Sequence, residues 1–259
     1  MKLLKIYAIA SLFIFANVSY AQDDSTTTKT AETTTAPISN PSNQPMQKVR
    51  LGIYGDLGFS YLKPKSNEYE SLGIRGSYAY GLVVDVNFTN HYTFSTGVKY
   101  ASYGGKMKFN DQMTIDSTLQ NGIMSRKYRV NYIELPILLK LKTNQMGYIT
   151  PFVQIGLHNG FRLSAFSDDE FSYSSGTKEL PPVEGNDIID ETAFYRLSLE
   201  FSIGAEYEIS QSFAGFAILS FHNGLTNSLT GTNYNWELNK DNKQSAMFKK
   251  FALTVGFMF

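Results

Sequence analysis

The sequence contains no cysteine, so no disulfide staples the fold and no lipid anchor is attached at a processed cysteine. Stability in an exported chain must then come from the sheet itself. Neither charge is in excess: 23 Lys and Arg stand against 23 Asp and Glu, which removes any case for nucleic acid as a partner. Beyond the first residues no stretch approaches the ~18 consecutive apolar residues of a membrane-spanning helix. Tryptophan is nearly absent, with one residue against 17 Tyr and 19 Phe, an aromatic excess that favours β-structure and interfacial girdles over helices.

The N-terminus reads as a secretory signal. Lys2 and Lys5 supply the positive start, residues 6–15 the apolar run, and Ser19-Tyr20-Ala21 a small-x-small cleavage site. Residues 1–21 are therefore assigned as a signal peptide. Residues 22–48 are rich in Ser, Thr and Pro with almost nothing apolar to bury, and are expected to be a disordered periplasmic linker. Residues 49–259 are left to form a single β-barrel domain.

From Arg50 onward the dominant period is two. Leu51, Ile53, Leu57, Phe59 and Tyr61 share one face, with Gly52, Tyr54, Asp56, Gly58 and Ser60 on the other. The same pattern returns in 78–88, 94–100, 130–141, 149–163, 195–209, 213–224 and 251–259. Between these strands the connections alternate, long at 62–77, 104–127, 165–193 and 225–247, short at 89–92, 143–147 and 210–212. That register predicts an all-β, eight-stranded antiparallel up-and-down transmembrane β-barrel with short periplasmic turns and long extracellular loops. A soluble barrel would turn its apolar face inward and its charges out. Here Lys and Arg almost never interrupt the apolar face, as lipid contact requires.

Several segments resemble the PorT-like outer-membrane β-barrel family. Tyr132, Glu134 and Pro136 look like that family's Tyr-x-Glu-x-Pro strand, and Pro151-Phe152 with Gly156 like the strand that follows it. Gly204-Ala205-Glu206 is similar to its Gly-x-Glu strand, Gly224-Leu225-Thr226-Asn227 to a Gly-Leu-x-Asn strand end, and Phe259 to its terminal aromatic. The resemblance implies an eight-stranded barrel in the cell outer membrane, inserted by the outer-membrane assembly machinery. That machinery reads the last strand, so Phe257 and Phe259 are the expected assembly signal. Activity is left open by the resemblance.

The inward-facing charges are Asp56, Asp85, Lys99, Glu134, Lys140, Arg196, Glu200 and Glu206. An eight-stranded barrel is just wide enough for side chains to fill it, so these groups are expected to pair into a plug. Pro136, inside a strand, is expected to make a kink beside Glu134. His91, His158 and His222 are the only histidines, and no HExxH, His-x-His or Ser-His-Asp spacing surrounds them. No catalytic residue, cofactor or metal ligand is assigned on that basis. Asp111, Asp116, Asp168, Asp169, Glu170, Asp187, Asp190 and Glu191 are read as solvated acidic loop residues, and Phe171, Tyr173, Tyr234 and Trp236 as loop aromatics that anchor a partner or pack the loops down.

The expected function is a non-enzymatic, monomeric outer-membrane protein with a structural, adhesive or assembly- and secretion-associated role. Its expected partners are outer-membrane lipid and lipopolysaccharide, the assembly machinery, and a protein at the loops or the periplasmic tail. The alternatives are a small ion or solute channel and, third, a membrane-embedded lipid hydrolase or acyltransferase using His158 or His222.

Overall fold

The computed structural model describes residues 47–115, 117–174, 180–210 and 212–259. The leader, nearly all of the segment 22–48 and Asp116 lie outside those residues. Eight long strands build the wall: β1 Val49–Pro64, β2 Arg75–Asn87, β3 Tyr92–Ile115, β4 Thr118–Lys142, β5 Ile149–Tyr173, β6 Tyr195–Ser210, β7 Phe213–Gly224 and β8 Ala246–Met258. Each pairs antiparallel with the next. The ring closes where β8 returns to β1, from Gly52↔Met258 to Pro64↔Ala246. Two main-chain bonds carry that seam to the last residue: Leu51 N–H donates to Phe259 O at 3.0 Å, and Phe259 N–H to Leu51 O at 2.7 Å. Within the ring each wall strand is paired on both sides.

Strict alternation then sorts side chains to the two sides of the wall. On β8, Phe251, Leu253, Val255 and Phe257 are exposed while Lys250, Ala252 and Thr254 are buried. On β6, Phe201 and Ile203 are 48% and 60% exposed, while Arg196 and Ser198 are fully covered. Apolar surface left in water forfeits ~25 cal/mol per Å², so a continuous outward belt of this kind needs an apolar solvent around it. Aromatic pairs border the belt. Tyr80 stacks on Tyr100 with ring centres 5.3 Å apart, and Phe213 on Phe257 at 5.4 Å near the short-turn end.

Two of the expected long loops are not loops. The segment 104–127 continues the β3–β4 ladder from Gly104↔Arg129 to Ile115↔Thr118, and Ser117 takes the positive φ of 62° that so tight a turn needs. At ~3.3 Å per residue the extension adds ~40 Å of hairpin. β5 follows β4 as far as Gly122↔Tyr173, so the start of the segment 165–193 is strand as well. Short strands at Tyr69–Ser71 and Val183–Asp187 pair with β3 and β5, and Thr232–Asn235 pairs with Lys240–Lys243. The cause is that alternation does not stop at the belt. Met107, Phe109, Met124, Tyr128 and Phe171 all point inward and bury a core with Leu62, Leu229 and Phe248.

Pro136 marks a local irregularity in the wall. The β3–β4 ladder is interrupted between Thr96↔Ile137 and Lys99↔Glu134, yet the register is the same on either side. Thr96 Oγ1 donates to Pro136 O at 2.8 Å across the gap. The register shift lies instead on the β5 side, at Asn131/Tyr132. The proline deletes a donor without adding a residue, so the strand is not bulged beside Glu134.

Candidate functional site

The lumen is stacked in layers. Nearest the short-turn end, Lys140 Nζ lies 2.5 Å from Asp85 Oδ2 and 3.1 Å from Glu206 Oε1. Arg50 and Lys142 also reach Glu206 Oε2, at 2.7 and 3.3 Å. Above them Phe152, Phe216, Ile218 and Met258 close an apolar ring, packed by Tyr54 and Val83, with the Lys140 ammonium 4.7 Å from the Phe152 ring centre. A cavity of about 50 Å³ follows, room for a few water molecules.

The next layer centres on Glu134. Its Oε1 accepts from Arg196 Nη1 at 2.6 Å and from Tyr103 Oη at 3.0 Å, and its Oε2 lies 3.2 Å from Lys99 Nζ. Asp56 pairs separately, with Lys250 Nζ at 2.6 Å. Two guanidinium nitrogens of Arg196 have no hydrogen-bond acceptor, but the group lies 4.0 Å over the Tyr103 ring. The π-face supplies what an acceptor otherwise would. Tyr103, Tyr132 and Phe248 close the layer from above.

All eight inward charges read from the sequence are buried, and six fall into two clusters, Asp85–Lys140–Glu206 and Lys99–Glu134–Arg196. Asp56 and Glu200 find partners outside that set. Lys250, Arg50 and Lys142 were missed, although the parity of their strands points all three inward. Glu200 meets no lysine or arginine at all. Its Oε2 is bonded to His158 Nε2 and lies 3.7 Å from His222 Nδ1, and the two imidazole centres are 4.9 Å apart. These histidines sit on β5 and β7, which are not neighbours, and they meet because β6 carries Glu200 between them. His91 stays exposed in the β2–β3 turn, with its Nδ1 3.1 Å from Lys142 O.

Ser220 Oγ lies 3.2 Å from His222 Nε2, giving a Ser–His–Glu string. The His222–Glu200 distance exceeds a hydrogen bond, and 50 Å³ is far below the ~300 Å³ of a small-ligand site.

The model of a family described as "Outer membrane protein beta-barrel domain" matches residues 11–230. The chain belongs to that family. No curated protein matches its sequence. Among solved structures, neisserial surface protein A is similar at 10% identity and a TM-score of 0.40, covering 80% of this chain and 95% of that one. Ail, the attachment invasion locus protein of Yersinia pestis, is similar at 10% and 0.35, covering 83% and 100%. The outer membrane protease OmpT of Escherichia coli is similar at 11% and 0.29, covering 82% and 96%. This outer-membrane barrel therefore lies with its exposed belt in the outer membrane, short turns to the periplasm and long hairpins outside.

In the extracellular part, six of the eight acidic residues are tied to partners, while Asp190 is exposed and Asp116 lies outside the described residues. Arg126 grips Asp169 at 2.7 and 2.8 Å and also bonds Glu191. Lys127 holds Glu170 at 2.6 Å, which keeps that carboxyl below its ordinary value. Asp111 Oδ1 accepts from Gln112 N–H at 2.9 Å and Tyr234 N–H at 3.3 Å, and burial pushes its carboxyl up. Asp168 and Asp187 cap the main chain of Gly185 and Ile189. Of the four aromatics Phe171 turns inward, at 2% exposed, and the half-buried Trp236 donates its Nε1–H to Gly122 O at 2.9 Å, while Tyr173 and Tyr234 are half-buried. They pack the cap onto the barrel mouth.

Proposed function

We propose that this outer-membrane barrel is a non-enzymatic surface protein of the PorT-like kind, whose plugged wall anchors an extracellular β platform that engages a partner. The filled lumen carries the reading. Salt-bridged layers stand above and below an apolar ring, and the cavity between them holds only a few waters. An ion path needs a continuous wet column or a ring of accessible charges, and paired charges under aromatic cover supply neither. β3, β4 and β5, at 24 to 25 residues, are more than twice the ~9–11 residues a spanning strand needs, which favours presentation as the use of the excess length. Lipopolysaccharide surrounds the belt, the assembly machinery reads Phe257 and Phe259, and the barrel works as a monomer with a macromolecular partner on the cap.

Planar-bilayer recording of the purified protein tests this. The expected trace shows no steady conductance. Ion-selective openings that vanish in Lys99→Met would overturn the plug and install the channel. Photo-crosslinkers placed along the segment 104–127 are expected to capture the partner from intact cells.

A further inference from the structure

The cluster of His158, Glu200 and His222 goes beyond that reading, because plugging alone does not account for its geometry. All three side chains are buried, at 2%, 5% and 2% exposed, on three consecutive strands, and they border the lumen cavity. One donor atom from each lies within 4.8 Å of the others.

The far nitrogen of His222 is already engaged. With the Ser220 hydroxyl proton turned to Ala252 O, 3.4 Å away, its oxygen is free to accept the Nε2–H of His222 at 3.2 Å. The Nδ1 of His222 is then an unprotonated lone pair, and it is a buried atom with no hydrogen-bond partner. It faces the Glu200 carboxylate, another lone pair, at 3.7 Å. On His158 the Nδ1 is buried without a hydrogen-bond partner, 3.6 Å from Glu134 Oε2, and the Nε2 is bonded to Glu200. A hydroxyl bonded behind the His222 imidazole, with the near nitrogens of both rings converging on one carboxylate oxygen, is an arrangement that suits a metal ion. A proton on His158 would satisfy only the His158–Glu200 contact. It leaves the His222 Nδ1 lone pair facing an anion with no donor from the protein.

We propose that His158 Nε2, His222 Nδ1 and Glu200 Oε2 bind one divalent transition-metal ion of the zinc type inside the barrel. Two imidazoles and one carboxylate form a ligand set that such an ion accepts, with a fourth position left open. Metal–ligand bonds of ~2.0–2.1 Å in a tetrahedron put donors ~3.4 Å apart, so the widest gap closes by roughly 1.4 Å of side-chain movement. The open position faces the 50 Å³ cavity, which admits one water-derived ligand and no substrate. That ligand also answers the local charge. With neutral imidazoles, Asp56, Glu134 and Glu200 balance Lys99, Arg196 and Lys250, and a bound hydroxide takes up half of what the ion adds. With the apolar ring below and the aromatic layer above, the ion enters as the barrel folds and exchanges slowly afterwards. Its role is to tie β5, β6 and β7 together.

Full-length, untagged protein is refolded from urea into detergent with Co²⁺ or Zn²⁺, passed over chelating resin, and assayed for metal and visible absorption. Folding is checked by gel mobility. The expected result is one ion per folded barrel, with the intense d–d bands of four-coordinate Co²⁺. His91→Ala is expected to keep both signals and His222→Ala to lose at least tenfold in retained metal. Should His222→Ala not fold, the wild-type Co²⁺ spectrum decides alone. Wild-type barrels that fold without retained metal, a six-coordinate spectrum, or equal retention in folded His222→Ala each overturn the site.

Discussion

Lys250→Met is the most informative perturbation of the seam. Lys250 Nζ lies 2.6 Å from Asp56 Oδ1, with the two side chains 0% and 2% exposed, and the pair joins β8 to β1 across the closure. Methionine keeps the length of the side chain and removes the charge, leaving the Asp56 carboxylate buried without its cation. Breaking a buried pair in this way costs ~3–5 kcal/mol, because desolvation of the remaining ion is no longer offset. The ammonium also sits 5.3 Å from the Tyr103 ring centre, worth a further ~0.5–2 kcal/mol. Asp56→Leu should lose a similar amount by stranding Lys250. The double variant removes both charges and is expected to recover most of the loss, since apolar replacements of buried pairs are often neutral. Urea unfolding from lipid vesicles, followed by gel mobility and far-UV circular dichroism, gives the four free energies of the cycle. Trp236 is the one tryptophan, and its indole is tied to Gly122 in the cap, so its fluorescence separates cap release from wall unfolding. Single variants within ~1 kcal/mol of wild type, or a double variant as unstable as the worse single, would refute the argument.

Two other outcomes follow from features at the ends of the wall. Deleting Phe259 removes both main-chain bonds to Leu51, each worth ~0.5–1.5 kcal/mol, together with the terminal aromatic. Outer-membrane levels of that variant are expected to fall, and normal levels would argue against the last strand as assembly signal. In the cap, burial raises the Asp111 carboxyl above its ordinary value, so its protonated form is the one the fold favours. Cap stability, read from Trp236, should therefore increase as pH falls through the raised value and be lost again on the way up, a dependence that Asp111→Asn abolishes. Glu170, held down by Lys127, works in the opposite direction: its contribution is present at neutral pH and fades as pH falls through the lowered value. That pair is well exposed and its effect small, so a profile governed by Glu170 rather than Asp111 would contradict the burial argument.

The wall was legible because alternation with lipid outside is a signal that each strand repeats. Phe213–Gly224 was bounded correctly from sequence, since Gly224 and the polar residues after it end the pattern. The long hairpin was not, because Lys106 and Lys108 break the apolar outer face that marks a spanning strand, while Met107 and Phe109 keep the inner one. Only half of the alternation survives beyond the bilayer. Parity could have found Lys250, which shares the inward phase of Ala252 and Thr254, but its position beside Lys249 reads as a loop end. The meeting of His158 and His222 lay beyond sequence reasoning altogether. It depends on the stagger between three strands and on a lumen narrow enough for side chains of non-neighbouring strands to touch.

The continuous ladder from Gly52↔Met258 to Pro64↔Ala246 also decides what the wall cannot be used for. Passage sideways from a barrel into the bilayer requires the first and last strands to part. Here parting them would strand a whole column of peptide groups in hydrocarbon, where each unmet group costs several kcal/mol. It would tear open the Lys250–Asp56 pair as well. Lateral exit of a lipid or a nascent strand would have to break this ladder first. Exchange at the two ends of the barrel leaves that seam intact.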